Sequence, residues 1–265
     1  MTKRETGLKR RGGHVGVSET GGVRYLHLGN DAVQSAMRLK RPYDLELAYT
    51  QAMTVCLLLH PAPRRLCMIG LGGGSIAKFV HRFLPEIQTH VIEVNPRVIV
   101  VAHNMFGLPK DDARLRVELG EGAAFVATAH DYADLLLVDG FDSLAQVQAL
   151  ATRPFYDNAV AALRPGGILV VNLLYDDPGL DRYVTRIEHA CPGGTLCLEA
   201  ETEPNLIVFG FRDPRPAWRL DALQRRAAQL KCVTGLAYPR LLKGLCRAND
   251  TTRTLLKVRP ASEND

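Results

Sequence analysis

Apolar positions along the middle of the chain follow two alternating rhythms, a short continuous run and then a helical period. The run Arg65 to Gly70 predicts a strand and leads to helical spacing over Ile76 to Phe83. Thr89 to Glu93 predicts a second strand, and the helix after it starts at Pro96, a favoured first-turn residue, and reaches about Phe106. A third strand, Leu115 to Leu119, precedes a short helix at Ala123 to Ala129, and Leu135 to Asp139 is apolar until its final carboxylate. A helix around Phe155 to Leu163 is expected to end at Pro165-Gly166-Gly167, before a fifth strand over Ile168 to Leu174. Repeated β-α-β units with uniformly apolar strands require a parallel sheet covered on both faces. Gly194 to Glu199 and Asn205 to Phe211 flank the polar turn Glu201-Thr202-Glu203-Pro204, so the sheet is expected to finish with an antiparallel pair. The fold class is therefore α/β, doubly wound and Rossmann-like.

The flanks read differently. His14 to Val17 and Val23 to Leu28 surround Glu19-Thr20-Gly21-Gly22, which predicts a short N-terminal β-hairpin. From Asp44 to Leu59 the apolar spacing is helical, and Pro61 and Pro63 stop it before the first core strand. Trp218 to Leu230 and Tyr238 to Leu245 are helical by period and are expected to close over one edge of the sheet. The resulting division is a basic tail and β segment over residues 1–43, then one α/β domain over 44–265.

With 265 residues and 46% hydrophobic content, the chain is long enough for one sizeable core and a small appendage. The formal charge of +5 comes mostly from Lys3, Arg4, Lys9, Arg10 and Arg11 near the N-terminus, so the body is close to neutral and no nucleic-acid partner is expected. No apolar run approaches a membrane span, and no apolar segment follows the basic N-terminus. A cytoplasmic protein is expected. The six cysteines lack C-x-x-C pairs and read as free, buried thiols.

In an open parallel sheet, ligands bind at the carboxyl ends of the strands. Four features fall there: Gly70-Leu71-Gly72-Gly73-Gly74 after the first core strand, Glu93 after the second, Gly120-Glu121-Gly122 after the third, and Asp139 after the fourth. Glycines let a ligand approach the backbone, and a helix N-terminus offers free N–H groups. An acid closing the next strand suits ribose hydroxyls, as Glu93 does. Glu121 beside Gly122 suits an adenine amino group. Asp139, with Asp142 three residues on, suits a protonated amine and the removal of a proton from it. The histidines lack metal-ligand spacing, and no metal is expected. Lys78 follows the last glycine too late, and with no Ser or Thr after it, to make a phosphate-binding loop; Ser75 reads as a helix-start residue.

With these positions placed, the sequence resembles the polyamine aminopropyltransferases, the spermidine synthase family, which share the fold of AdoMet-dependent methyltransferases. The similarity runs from about Ala32-Val33-Gln34 to about Asn172. Asp139-Gly140-Phe141-Asp142-Ser143 is similar to the family's D-x-x-D-P gatekeeping loop, and Tyr132 to Val138 to the strand entering it. Glu93 falls on the ribose acid, Glu121-Gly122 on the Asp-Gly that contacts adenine, and Tyr49 on the tyrosine of the Y-[HQ]-E-M helix.

The resemblance implies that decarboxylated AdoMet is the co-substrate, bound by Gly70, Gly72, Gly74, Glu93, Glu121 and Gly122. An amine such as putrescine would be bound by Gln34, Tyr49 and Asp142, with Asp139 as the catalytic base. It implies a homodimer as well. Three departures stand out. The acid expected in G-G-G-D-G falls on Gly73; Thr50 and Gln51 replace polar and acidic residues of the helix motif; Ser143 replaces the gate proline. Two alternatives therefore stay open: a methyltransferase using intact AdoMet, for which Gly73 is expected to leave room, and a nucleoside-binding protein without turnover.

Overall fold

A computed structural model describes residues 15–29, 32–140, 147–214 and 217–260. The chain opens with a three-stranded antiparallel sheet, β1 (Val15–Thr20), β2 (Val23–Leu28) and β3 (Val33–Arg38). The hairpin turn is where glycine permits it, with Gly21 and Gly22 both at positive φ. The third strand was not expected. Val33 to Arg38 does not alternate cleanly; Ser35, Ala36 and Met37 are all buried.

The helix expected over Asp44 to Leu59 is shorter and broken, into α1 (Ala48–Met53) and α2 (Cys56–Leu59). Thr50 and Thr54 donate their hydroxyls to the carbonyls of Leu47 and Gln51, at 2.6 and 2.7 Å. The amides of Thr54, Val55, Leu57 and Leu58 likewise bond three residues back. Such bonds tighten the turn and interrupt the α-helical ladder.

Strand and helix then alternate through β4 (Arg65–Ile69), α3 (Ser75–Phe83), β5 (Gln88–Glu93), α4 (Pro96–Met105), β6 (Leu115–Leu119), α5 (Gly122–Thr128), β7 (Ala133–Val138), α6 (Arg153–Ala161) and β8 (Leu163–Leu174). Next come α7 (Leu180–Ala190), β9 (Thr195–Glu199), β10 (Asn205–Phe211), β11 (Ala217–Arg219), α8 (Leu220–Thr234), α9 (Tyr238–Ala248) and β12 (Leu255–Lys257). The large sheet has the order β6-β5-β4-β7-β8-β10-β9, parallel through β8 and antiparallel beyond it. The doubly wound expectation and the antiparallel finish both hold.

Successive strand residues face opposite ways and feed two cores. Met68, Leu135, Leu137, Ile168 and Val170 join the core under α1 to α4, α8 and α9. Cys67, Ile69, Leu136, Val138, Leu169 and Val171 join the core under α5 to α7. The N-terminal sheet packs through Leu26 and Met37 on Phe106, and Lys78 of α3 donates both to the Met37 sulfur at 3.2 Å and to the Phe106 carbonyl at 2.6 Å. Burial lowers the Lys78 ammonium from 10.5 to about 8.

Three local expectations need correction. Pro165-Gly166-Gly167 does not separate helix from strand: β8 already pairs at Leu163 with Ala133, then bulges before Ile168 pairs with Leu135. Gly166 at positive φ, its amide held by the Asp213 carboxylate, lets the chain make that bulge. Helix α7 was not expected, although Leu180, Tyr183, Val184 and Ile187 are spaced for one. Among the cysteines, all free, Cys56, Cys67 and Cys191 are buried but Cys232 is exposed.

Candidate active site

The strand order reverses between β4 and β7, and this switch point is where an α/β sheet opens a crevice for ligand. Sideways backbone bonds fix the strand ends there. The Gly70 amide donates to Ile92 and the Asp139 amide to Ile69, each at 2.9 Å, and the Gly120 amide to Glu93 at 3.0 Å. The loops after β4, β5, β6 and β7 are thus held in one row.

Gly70 has φ +97°, and a Cβ there would lie 2.2 Å from the Asp139 carbonyl oxygen. Only glycine satisfies both conditions. Gly72 and Gly74 are also left-handed, and Gly74 leads into α3. Glu93 is buried, and its carboxylate accepts from the amides of Leu71 and Asn95, at 2.9 and 2.8 Å. Burial raises its pKa above the usual carboxylate range, while those amide bonds act to lower it. A carboxylate has about four acceptor positions, so Glu93 keeps acceptor capacity for a hydroxyl donor.

Across the switch point, a side-chain network surrounds Asp139. Asn172 donates to Asp139 Oδ1 at 2.9 Å, and Asn205 donates in turn to Asn172 Oδ1 at 2.9 Å. The buried Tyr49 hydroxyl donates to the Gln34 carbonyl at 3.0 Å and also interacts with the Asp139 carboxylate. Burial raises the Asp139 pKa, and the bonds from Asn172 and Tyr49 oppose that rise. Tyr49 is raised well above 10.0, first by burial and then by the Asp139 charge. Asp139 is therefore an oriented carboxylate with an enhanced affinity for a proton.

The structure brings most of the expected residues together, with different parts for some. Gln34 contributes its main-chain carbonyl to Tyr49. Glu121 is exposed at the end of the row, leading into α5. Gly122 is needed for packing, since a Cβ would lie 2.2 Å from Ile69 Cγ2. Asp142 lies outside the described residues. Gly73 does not leave room: a Cβ would meet the buried Phe106 ring at 2.8 Å and Ser35 Cβ at 3.1 Å, and the Ser35 hydroxyl holds the Gly73 amide at 2.8 Å. Phe106, just after α4, and Ser35 of β3 fill the space that a side chain at 73 would need.

Sequence reasoning passed over Asn172, Asn205, Ser35 and Glu203. Asn172 carried a signal, a lone amide inside the apolar run Ile168 to Leu174. The others lie on elements brought to the site only by folding. Among the described residues no group of three or more His, Cys, Asp or Glu is disposed to hold a metal.

A glycine turn, a strand-end acid and a half-buried, oriented carboxylate at the switch point of this sheet define an enzyme of the AdoMet-dependent transferase fold. Comparison with known proteins narrows the class. Residues 46–189 match the spermine/spermidine synthase domain. The chain is 37% identical over 236 residues to a polyamine aminopropyltransferase of Neisseria meningitidis, covering 89% of this chain and 90% of that one. It is 36% identical over 238 residues to one of Chromobacterium violaceum, covering 90% and 91%. The chain belongs to the spermine/spermidine synthase family. In fold it is similar to a probable spermidine synthase from Corynebacterium glutamicum, with TM-score 0.67, 13% identity and coverage of 90% and 94%. It is also similar to human methyltransferase-like protein 13, with TM-score 0.57, 26% identity and coverage of 74% and 89%.

Proposed function

We propose that the protein is a spermidine synthase-like aminopropyltransferase, moving the aminopropyl group of decarboxylated AdoMet to an amine such as putrescine and releasing methylthioadenosine. The observation that carries this reading is Asp139, a half-buried and oriented carboxylate beside the glycine turn in a chain of this family. Asp139 removes a proton from the amine nitrogen, whose lone pair then forms the C–N bond at the carbon beside the sulfonium. The C–S bond breaks, and its electron pair leaves with methylthioadenosine. The sulfonium is the electrophile, so the protein supplies position and proton removal. A carboxylate whose pKa is raised toward working pH is the better base.

In this reading Gly70, Gly72, Gly74, Glu93, Glu121 and Gly122 form the nucleoside side, and Gln34, Tyr49 and Asp142 the amine side. Residues 1–43 form an appendage to a catalytic domain over 44–265. The reading includes a cytoplasmic homodimer, with no nucleic-acid or membrane partner; among the described residues no helix is long and apolar enough to cross a membrane. Size-exclusion chromatography with light scattering tests the dimer.

One observation favours a second reading. With glycine at position 73, no carboxylate stands there to repel the carboxylate of intact AdoMet, which keeps a methyltransferase in view. Mass spectrometry after incubation with either form of AdoMet and a mixture of amines decides. Methylthioadenosine and spermidine from putrescine, lost in Asp139→Asn, are expected. A methylated product from intact AdoMet favours the second reading, and no turnover with any di- or triamine overturns the first. Methylthioadenosine binding without any product points to a nucleoside-binding protein.

A further inference from the structure

The amine side lacks the acids expected at Gly73 and Gln51, yet a carboxylate reaches it from elsewhere. Glu203 lies in the turn between β9 and β10, and its Oε2 accepts from the Tyr49 amide at 2.9 Å, 154 positions away in sequence. Because β10 runs antiparallel to β8, with Asn205 opposite Leu174, this turn sits at the carboxyl end of the parallel strands. Hydrogen bonds hold it in place. The Tyr175 amide donates to the Pro204 carbonyl and the Asn205 amide to the Glu203 carbonyl, both at 2.8 Å. The Thr202 hydroxyl donates to Glu203 Oε1 at 2.9 Å.

We infer that Glu203 is the anionic contact for the second ammonium of a diamine or longer polyamine acceptor, an inference that rests on the aminopropyl-transfer reading. Asp139 and Glu203 bracket the same residue, one at the Tyr49 hydroxyl and the other at its amide. Asp139 follows β7 and Glu203 precedes β10, two strands away at the same end of the sheet, and a diamine carries two cationic ends for two such acids. The acids around Glu203 are otherwise engaged: Glu201 pairs with Arg240, and Glu199 interacts with Tyr175. Among the described residues Glu203 forms no ion pair, and its two hydrogen bonds leave acceptor positions for an ammonium.

A bland role competes: a carboxylate at the Tyr49 amide also satisfies an open donor in the first turn of α1. Glu203→Gln separates the two, because its amide oxygen keeps that bond while the charge is lost. The measurement is kcat/KM for 1,4-diaminobutane and for 1-aminobutane, with decarboxylated AdoMet, in wild type and Glu203→Gln. We expect the diamine-to-monoamine ratio to fall roughly ten- to a hundredfold, the usual cost of one charged hydrogen bond. A ratio that does not move assigns Glu203 to the helix end alone and overturns the inference while the reaction stands. No product from wild type with either amine overturns the reaction, and the inference with it. Thermal denaturation of Glu203→Gln beside Glu203→Ala checks the fold: a drop in Tm confined to Glu203→Ala accompanies the expected result.

Discussion

In the proposed reading, the nucleoside side and the amine side of this site are built by different means. The nucleoside side, at the ends of β4, β5 and β6, is made of backbone: left-handed glycines and amides held by Glu93. Each part follows its own strand, so a few neighbouring residues specify it. The amine side is made of side chains from distant segments, with Tyr49 meeting Gln34, Asp139 and Glu203, and Asp139 meeting Asn172. One side is constrained by close approach of main chain and tolerates little change. The other has glycine at 73 and, from the turn before β10, the carboxylate of Glu203.

The largest test of this division is Asp139→Asn. Transfer should fall about 10²- to 10⁴-fold, the usual contribution of a general base, while calorimetry should still detect methylthioadenosine binding. Loss of nucleoside binding would mean that the two sides are one unit. Gly70→Ala is the converse test. It forces a side chain into φ +97° and against the Asp139 carbonyl, so methylthioadenosine binding and Tm should both drop, with backbone strain alone costing about 1–3 kcal/mol.

Gly73→Asp restores the acid at the position of the family motif but not the space for it. Overpacking against Phe106 and Ser35 should cost about 1–3 kcal/mol in denaturant unfolding, with no gain in preference for decarboxylated AdoMet. An undiminished midpoint with tighter binding would show that Phe106 yields. The smallest effect is on pH dependence. Burial raises the Asp139 pKa, so the enzyme should lose activity as pH falls at values above the ordinary carboxylate range. Asn172 donates to the ionised form, and Asn172→Ala should therefore move that acid limb of kcat/KM higher still. A limb that stays in place would remove Asn172 from the control of Asp139.

The same division explains what was readable before the fold was known. The strand-helix alternation from Arg65 to Leu174 was legible because apolar runs and helical periods are local, and the four strand-end features came with it. Strand β3 was not, because Ser35 is a polar residue whose buried partner, the Gly73 amide, is distant in sequence, and the break between α1 and α2 rests on Thr50 and Thr54 bonds that apolar spacing does not register. Helix α7 was legible from its spacing and was missed. Asn172 stood out as an amide in an apolar strand, whereas Glu203 looked like any solvated turn residue until β10 carried its turn to Tyr49.

By itself, the sequence determined the parallel sheet, the glycine turn, Glu93 and Asp139, since each depends on residues adjacent in the chain and on the rule that strand ends open a crevice. Only the tertiary structure decided how the amine side is made. It closed the space beside Gly73 with Phe106, oriented Asp139 through Asn172 and Tyr49, and brought Glu203 to the amide of Tyr49. The physical reason is range: a backbone conformation is set by near neighbours, whereas the position and pKa of a buried charge are set by whatever packs around it.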